Sequence, residues 1–358
     1  MSDAGPFRPN RTAWIVVLAA IAFIYLFQAP YFGRLNNPNE NVRVYTTRAM
    51  VEFGTFAIDD VIDDWGYVND KAAFNGHLYS AKAPAASFLA VPGYWAHSRI
   101  NYALGREATQ QEVTLVCRLT STIPILLLFL FAFARFSDRV MTDPAIRMLS
   151  VVAVALGSTM LTYGGMFLSH ALTAGALFSA YMLIYRQREA PKAFLPALLI
   201  GLCVGLAPAL EYPGGVGGAF IGLYAIYRAP HRARFMLWSA LGAAVPVALI
   251  LWVHLDCFGS PFEFPHSHLE DPDQALHHVD GFFGMDHISP VALHGSLFSP
   301  SNGLFWFAPW TMVPVVGLVF ALQFKRLREP AFVTGGMLVL YVLFVGMVHN
   351  WRGGWTAG

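Results

Sequence analysis

The chain has 358 residues, of which 56% are hydrophobic and only 13% are charged, and its mean hydropathy is +0.49. A soluble protein carries about 25% charged residues, so the composition excludes an ordinary soluble domain and indicates an all-α polytopic membrane protein. The net charge of +1 supplies no basic surface field, and no nucleic-acid partner is expected.

A helix that crosses a bilayer needs about 20 apolar residues. Nine segments approach or reach this length, so we predict about nine transmembrane helices. They cover residues 13–30, 113–134, 145–163, 167–185, 194–210, 213–227, 235–255, 303–323 and 331–349. Gly201 and Gly205 are spaced one helical turn apart, which predicts close contact between two helices.

Basic residues are concentrated in every second connection between these segments. The four clusters are Arg135, Arg139 and Arg147; Arg186, Arg188 and Lys192; Arg228, Arg232 and Arg234; and Lys325, Arg326 and Arg328. The positive-inside rule therefore predicts that these connections and the N-terminus lie in the cytoplasm. The long loops 31–112 and 256–302 are then extracytoplasmic, in a multi-pass protein of the inner (plasma) membrane.

The first long loop contains two further helical patterns. Residues 84–104 are apolar, but Pro92 and Arg99 interrupt them, and one more crossing would reverse every later basic connection. We predict an interfacial or re-entrant helix there. Residues 40–53 also have a helical pattern, and we expect them to lie flat on the membrane surface. The first extracytoplasmic loop is thus expected to carry interfacial helices.

Carboxylates in this loop are the candidate catalytic residues. Glu40 follows the first span and could act as general base on an acceptor hydroxyl. The alternative is that Asn39 or Glu40 caps a helix and favours the positive end of its dipole. Asp59 and Asp60 begin an acidic stretch that could hold a divalent cation through oxygen ligands, or that could simply form a solvated acidic turn.

Three more ionisable residues fall on the same predicted side of the membrane. Lys82 precedes Ala83 and Pro84 at the start of an apolar segment, where a lysine can bind a lipid phosphate or extend its amine to the interface. His170 and Glu211 lie at the outer ends of predicted spans. They are candidate substrate-binding residues, although groups at span ends can also merely reach water.

The second long loop is rich in histidines and carboxylates, which are ligands of zinc or manganese. Its histidines are His266, His268, His277, His278, His287 and His294. The loop has no HExxH motif and no defined ligand set. We therefore assign no metal ligands, no cofactor is certain, and a divalent metal remains open.

Several short motifs are spread over most of the chain. They read GTFAID, NGHLYSAKAP, FLAVP, FLSHALTAG, EYPGG, FGSPF, LFSPSNGLFWFAP and NWRGGW. With these motifs the chain resembles the GT-C membrane glycosyltransferases, which include the protein O-mannosyltransferases and the aminoarabinose transferase of lipid A. It resembles in particular a bacterial branch with an RgtA/B/C/D-like domain. The resemblance implies a GT-C-like bundle that forms a single transmembrane domain over residues 1–358.

In that family an acidic motif follows the first span, and the lysine of a Lys-Pro-Pro motif contacts the donor phosphate. Asn39-Glu40 and Lys82-Ala83-Pro84 resemble these two motifs. The resemblance implies sugar transfer from a polyprenyl phosphate to a lipid, glycan or protein acceptor at the extracytoplasmic face. Glu40 would be the base, alone or helped by the aspartates at 59–64, because Asn39 replaces the family's acid. Arg43 or Arg352 would pair with phosphate.

Two other classes of protein compete with a glycosyltransferase. A transporter or flippase of lipid-linked substrates places its polar residues at the membrane midplane, often in repeated halves, whereas this chain places them at span ends and in loops. A non-catalytic lipid-binding or assembly protein on the same fold fits the Asn39 replacement. It also fits the ending at Trp355-Thr356-Ala357-Gly358, which resembles the interior of a longer motif and suggests a truncated C-terminus.

Overall fold

The computed structural model describes residues 11–28, 37–191, 193–276, 278, 284–285, 287–301, 303–349 and 351. Within these residues the chain is predominantly helical, with a two-stranded antiparallel hairpin, so the all-α class is confirmed. Arg352, one of the expected phosphate ligands, lies outside the described residues.

The first part of the chain forms α1 to α6 and the hairpin. Their bounds are α1 Arg11–Phe27, α2 Pro38–Arg48, α3 Asp59–Trp65, β1 Lys71–Phe74, β2 His77–Ser80, α4 Ala85–Ala103, α5 Gln110–Cys117 and α6 Ile123–Val140. A π-helical turn at Ala49–Phe53 continues α2, and another at Arg118–Thr122 joins α5 to α6.

The remainder forms α7 to α17. Their bounds are α7 Pro144–Leu156, α8 Thr159–Gly164, α9 His170–Glu189, α10 Phe194–Leu210, α11 Gly214–Arg228, α12 Arg232–Phe258, α13 Pro272–Leu276, α14 Pro290–Phe298, α15 Leu304–Phe307, α16 Met312–Ala321 and α17 Arg328–Met347. Short 3-10 turns occur at Pro265–His268 and Pro309–Thr311.

Each of the nine predicted apolar segments is helical over most of its described length. In the described residues, three helical stretches are long and apolar enough to cross a membrane, namely Gln110–Val140, Arg232–Phe258 and Arg328–Met347. Shorter apolar helices include α1, α7 and α10. The lengths are consistent with a membrane protein.

The surface of α12 supports the same conclusion. Only 17% of the most apolar part of this helix is buried inside the protein. Met236, Leu241 and Val245 are among its exposed side chains. An apolar surface of this extent is unfavourable in water and favourable against lipid.

Helices α10 and α12 form a close pair. A Cβ atom at Gly201 would lie 1.8 Å from the carbonyl oxygen of Ser239, and one at Gly242 would lie 1.9 Å from that of Leu198. A larger residue at either position would therefore force the two backbones apart. The close helix contact predicted from the glycine spacing is confirmed.

Ion pairs connect several basic connections at one end of the bundle. Arg139, in the last turn of α6, lies 3.2 Å from Glu189 at the end of α9. Arg228, at the end of α11, lies 3.1 Å from Glu329 in the first turn of α17, which also pairs with Arg188. We call this end the basic end. The beginning of α9 and the end of α10 lie at the opposite end.

The first long loop folds onto that opposite end. Residues 40–47 of α2 are all buried, on every side of the helix, and α2 packs against α4 and α5. The expectation that residues 40–53 lie flat on the membrane surface is wrong, because the polar side chains of α2 are paired inside the protein. By contrast α4 buries Ala90 and Tyr94 and exposes Trp95 and Ile100, as an interfacial helix would.

The hairpin connects the two long loops. Its strands are joined by Asn75 and Gly76, whose φ angles of +51° and +84° suit a two-residue turn. Ala72 in β1 forms an isolated bridge with Leu269, so the second long loop contacts the first.

Candidate functional site

The site begins with the first turn of α2. The side chain of Asn37 accepts a hydrogen bond from the backbone N–H of Glu40, 3.2 Å away, and Pro38 is the first helical residue. The cap is therefore Asn37, and neither Asn39 nor Glu40 as the capping interpretation proposed. This start places Glu40 and Arg43 three residues apart on one side of the helix.

Glu40 is held in a closed ion pair. Its side chain is 1% exposed, and its Oε1 lies 2.6 Å from Nη2 and 2.8 Å from Nε of Arg118. The same oxygen accepts a hydrogen bond from the backbone N–H of Phe167. Glu40 thus fastens α2 to the α5–α6 helix and to the segment before α9, and its Oε1 has no room for a further donor.

Arg43 is the best-anchored cation of the site, with a side chain that is 0% exposed. Its Nη1 donates to the carbonyl and side-chain oxygens of Asn39. Its Nη2 donates to Ser169 Oγ and, at 2.7 Å, to Oε2 of Glu211. A buried arginine is tolerated when a carboxylate and further acceptors compensate it. These three residues engage both of its terminal nitrogens, whereas its buried Nε has no partner among the described residues.

Glu211 comes from the junction of α10 and α11. Its backbone is extended, and Pro213 two residues later is the N-cap of α11. Its Oε2 also accepts from Ser169 Oγ at 2.7 Å and lies 3.9 Å from Nδ1 of His170. Burial raises the pKa of Glu211, but Arg43 foremost, then His170, the Ser169 hydrogen bond and Lys82, bring this pKa below its ordinary value. The carboxylate is therefore ionised at neutral pH.

Lys82 follows the hairpin and faces the same site. Its Nζ lies 3.2 Å from Oδ1 of Asp70, and its side chain is 18% exposed. Asp70 has a φ of +61°, a left-handed conformation that aspartate tolerates better than most residues. Lys82 lines the same cavity as Tyr212, the neighbour of Glu211, and Pro265, the neighbour of His266, and its positive charge contributes to the lowered pKa of both Glu211 and His266.

The second long loop contributes one wall. His266 lies in the 3-10 turn Pro265–His268, where burial, helped by Lys82 and His278, lowers its pKa to about 3. Tyr212 and Nε2 of His254 are 2.8 Å apart. A narrow cavity of about 20 Å³ runs between the loops and the helix ends, with space for about one water molecule. Its lining includes Thr46, Ser80, Lys82, Tyr212, His254 and Pro265.

The predicted acidic stretch is separate from this group. Asp59 accepts a hydrogen bond from the backbone N–H of Leu78 at 3.2 Å and lies 3.4 Å from His77, so it fastens the hairpin to α3. Asp60 is exposed. Among the described contacts, neither aspartate reaches Glu40 or Glu211.

Metal ligation gains no support from the described residues. Among them, no group of three or more histidine, cysteine, aspartate or glutamate side chains could hold a metal ion. His268, for example, is paired with Glu263 at 3.0 Å. His277 lies outside the described residues.

Comparison of the chain with protein-family models, with curated proteins and with solved structures found no match. The resemblance to GT-C glycosyltransferases therefore rests on the sequence motifs, and any function has to be argued from the site itself.

The structure brings four of the expected site residues together: Arg43, Lys82, His170 and Glu211. It adds three residues that the sequence interpretation missed: Arg118, which pairs with Glu40, Ser169, which donates to Glu211, and Asp70, which pairs with Lys82. Arg118 carried a usable signal, because an ionisable residue inside a predicted span usually has a functional or paired role. Ser169 and Asp70 carried none, since their importance comes only from what they contact.

Proposed function

We propose that this protein is a membrane glycosyltransferase of the GT-C type. It would move a sugar from a polyprenyl phosphate donor to a lipid, glycan or protein acceptor at the extracytoplasmic face. The observation that carries this proposal is the group formed by Arg43, Lys82, His170 and Glu211. This group places a partly exposed cation near an ionised carboxylate, beside apolar helices. The cation can bind a lipid phosphate, and the carboxylate can accept the proton of an acceptor hydroxyl.

Lys82 is the residue best suited to the donor phosphate. Its side chain is 18% exposed, and that of its partner Asp70 is 19% exposed. An ion pair open to solvent is worth at most about 1 kcal/mol, so a phosphate can displace Asp70 at low cost. Arg43 is wholly buried with both terminal nitrogens engaged, which favours a role in holding Glu211 over direct phosphate binding.

The proposal includes about nine spans, a cytoplasmic N-terminus and an extracytoplasmic site. Its support is that the ion-paired basic connections lie at one end of the bundle and the candidate site at the other. Single cysteines introduced at exposed Tyr67 and at Glu189 would be treated with a membrane-impermeant maleimide in intact cells. We expect labelling at position 67 only. Labelling at position 189 only would invert the orientation.

Transfer itself can be measured with purified protein in proteoliposomes. Polyprenyl phosphates carrying a radiolabelled glucose, mannose or galactose would be the donors, and a bacterial envelope lipid extract would supply acceptors. We expect labelled acceptor and free polyprenyl phosphate to appear together. Lys82→Ala should reduce both signals, whereas Lys325→Ala, an exposed lysine near the basic end, should reduce neither.

The same assay separates the competing classes of protein. A flippase would move the labelled lipid between leaflets without releasing polyprenyl phosphate. A lipid-binding or assembly protein would retain the labelled lipid with neither movement nor bond cleavage. Release of polyprenyl phosphate in step with acceptor labelling is therefore the decisive result.

A further inference from the structure

Two carboxylates border the site, and they differ in how far they can be reached from outside the protein. Glu40 is 1% exposed, and its Oε1 is occupied by Arg118 and Phe167. The side chain of Glu211 is 19% exposed, and both Arg43 and Ser169 engage only its Oε2. Its Oε1 has no hydrogen-bond partner among the described residues and is not buried. Oε2 of Glu40 also has no hydrogen-bond partner among the described residues, so access makes the difference. A substrate hydroxyl can approach Glu211, which is 19% exposed, but not Glu40, which is 1% exposed.

The engaged oxygen of Glu211 is held on a rigid support. Arg43 cannot swing away, because its other terminal nitrogen donates to Asn39 inside the protein. Ser169, the residue before α9, supplies the second donor. With Oε2 fixed from two sides, the free Oε1 points in a defined direction, which is the preorganisation that proton transfer requires.

We propose that Glu211 is the general base of the reaction, and that Glu40 is a positioning residue. This assignment rests on the proposed glycosyltransferase function. The proton of the acceptor hydroxyl would pass to Oε1 of Glu211 as the acceptor oxygen forms a bond to the anomeric carbon. The bond from that carbon to the phosphate oxygen breaks, and its electron pair leaves with the polyprenyl phosphate beside Lys82. Glu211 afterwards releases the proton to water.

The surrounding charges give the reaction an order. Without donor, Arg43, His170 and Lys82 lower the pKa of Glu211 and make it a weak base. A bound phosphate would neutralise the field of Lys82, and the pKa of Glu211 would then rise towards its ordinary value. A base is more effective when its pKa approaches the working pH, so donor binding would precede and promote activation of the acceptor.

The test compares Glu211→Gln, Glu211→Asp and Glu40→Gln with wild-type protein in the polyprenyl-phosphate-sugar assay. We expect Glu211→Gln to bind donor normally but to lose about 10²–10⁴-fold in kcat, the usual value of a positioned base. Glu211→Asp keeps the charge opposite Arg43 and so keeps the fold, but it withdraws the free oxygen and lowers kcat. Glu112→Gln, at an exposed helix cap, is the matched control with unchanged kcat.

Further readouts distinguish a base from a structural carboxylate. In wild-type protein kcat should fall at acid pH as Glu211, which lies near Arg43, Lys82 and His170, becomes protonated. Glu211→Gln should not show this fall. Formate should restore part of kcat to Glu211→Ala. Wild-type kcat in Glu211→Gln and in Glu211→Asp would overturn the assignment. So would a normally stable Glu40→Gln protein that has lost transfer. Absence of transfer by wild-type protein would instead overturn the proposed function, and the assignment with it.

Discussion

Two arginine–carboxylate pairs each use a residue from the same turn of α2, and they differ in solvent exposure. In the Glu40–Arg118 pair both side chains are almost sealed, with 1% and 7% exposure. In the Arg43–Glu211 pair the arginine is sealed and the carboxylate keeps 19% of its exposure. The first pair can only determine where α2 lies. The second leaves one carboxylate oxygen available, so accessibility separates a structural pair from a chemical one where residue type and distance do not.

The largest effect should come from opening the sealed pair. Glu40→Gln removes the charge that compensates buried Arg118, and breaking one side of a buried ion pair typically costs about 3–5 kcal/mol. We expect a corresponding loss in the free energy of unfolding, measured by thermal denaturation in detergent. Glu112→Gln at its exposed cap should lose about 1 kcal/mol or less. A normally stable Glu40→Gln protein would show that the pair is not structural.

In a third ion pair, Lys82–Asp70, both side chains are partly exposed. Lys82→Ala removes a charge-assisted hydrogen bond to phosphate, worth about 1.5–3 kcal/mol. We expect kcat/KM for the donor to fall by roughly 10–100-fold, with stability nearly unchanged. Lys82→Arg should retain most of the activity because it keeps the charge. Equal kcat/KM values in wild type and Lys82→Ala would remove Lys82 from the donor site.

Stability in acid should distinguish the open pair. Because the pKa of Glu211 is lowered on folding, its ionised form stabilises the protein above the ordinary glutamate value of 4.5. That contribution is lost as the pH falls through the lower, folded-state pKa. Wild type should be more stable than Glu211→Gln at neutral pH, and the two should converge as the pH falls. A difference that stays constant on acidification would contradict the ionic character of the Arg43–Glu211 pair.

The smallest effects should come from the acidic stretch outside both pairs. Asp59→Asn removes a carboxylate that lies 3.4 Å from His77 and weakens the acceptor of the Leu78 N–H in the hairpin, for about 1 kcal/mol of stability. Asp60→Asn, at an exposed position, should stay within about 0.5 kcal/mol. Transfer rates should be unchanged in Asp60→Asn. A loss of transfer in this variant would return the acidic stretch to the catalytic site.

Much of the architecture could be predicted from the sequence because its causes are local. Apolar segments of the right length form helices wherever they are, and the i, i+4 glycines at 201 and 205 mark a close helix contact. The Asn75-Gly76 hairpin was equally local, since an Asn-Gly pair favours a two-residue turn, and the sequence interpretation overlooked it. Not every predicted span is one continuous helix: residues 145–163 divide into α7 and α8 at Gly157 and Ser158.

The sequence by itself therefore determined an apolar helical chain with alternating basic connections and a polar first loop, because hydrophobicity and charge act on each segment separately. Only the tertiary structure decided which carboxylate is closed. Glu40 meets partners 78 and 127 positions away, at Arg118 and Phe167, and Glu211 meets Arg43 across 168 positions. Burial and ion pairing depend on how distant segments pack. No pattern around residue 40 could show that its carboxylate is sealed while that of residue 211 stays open.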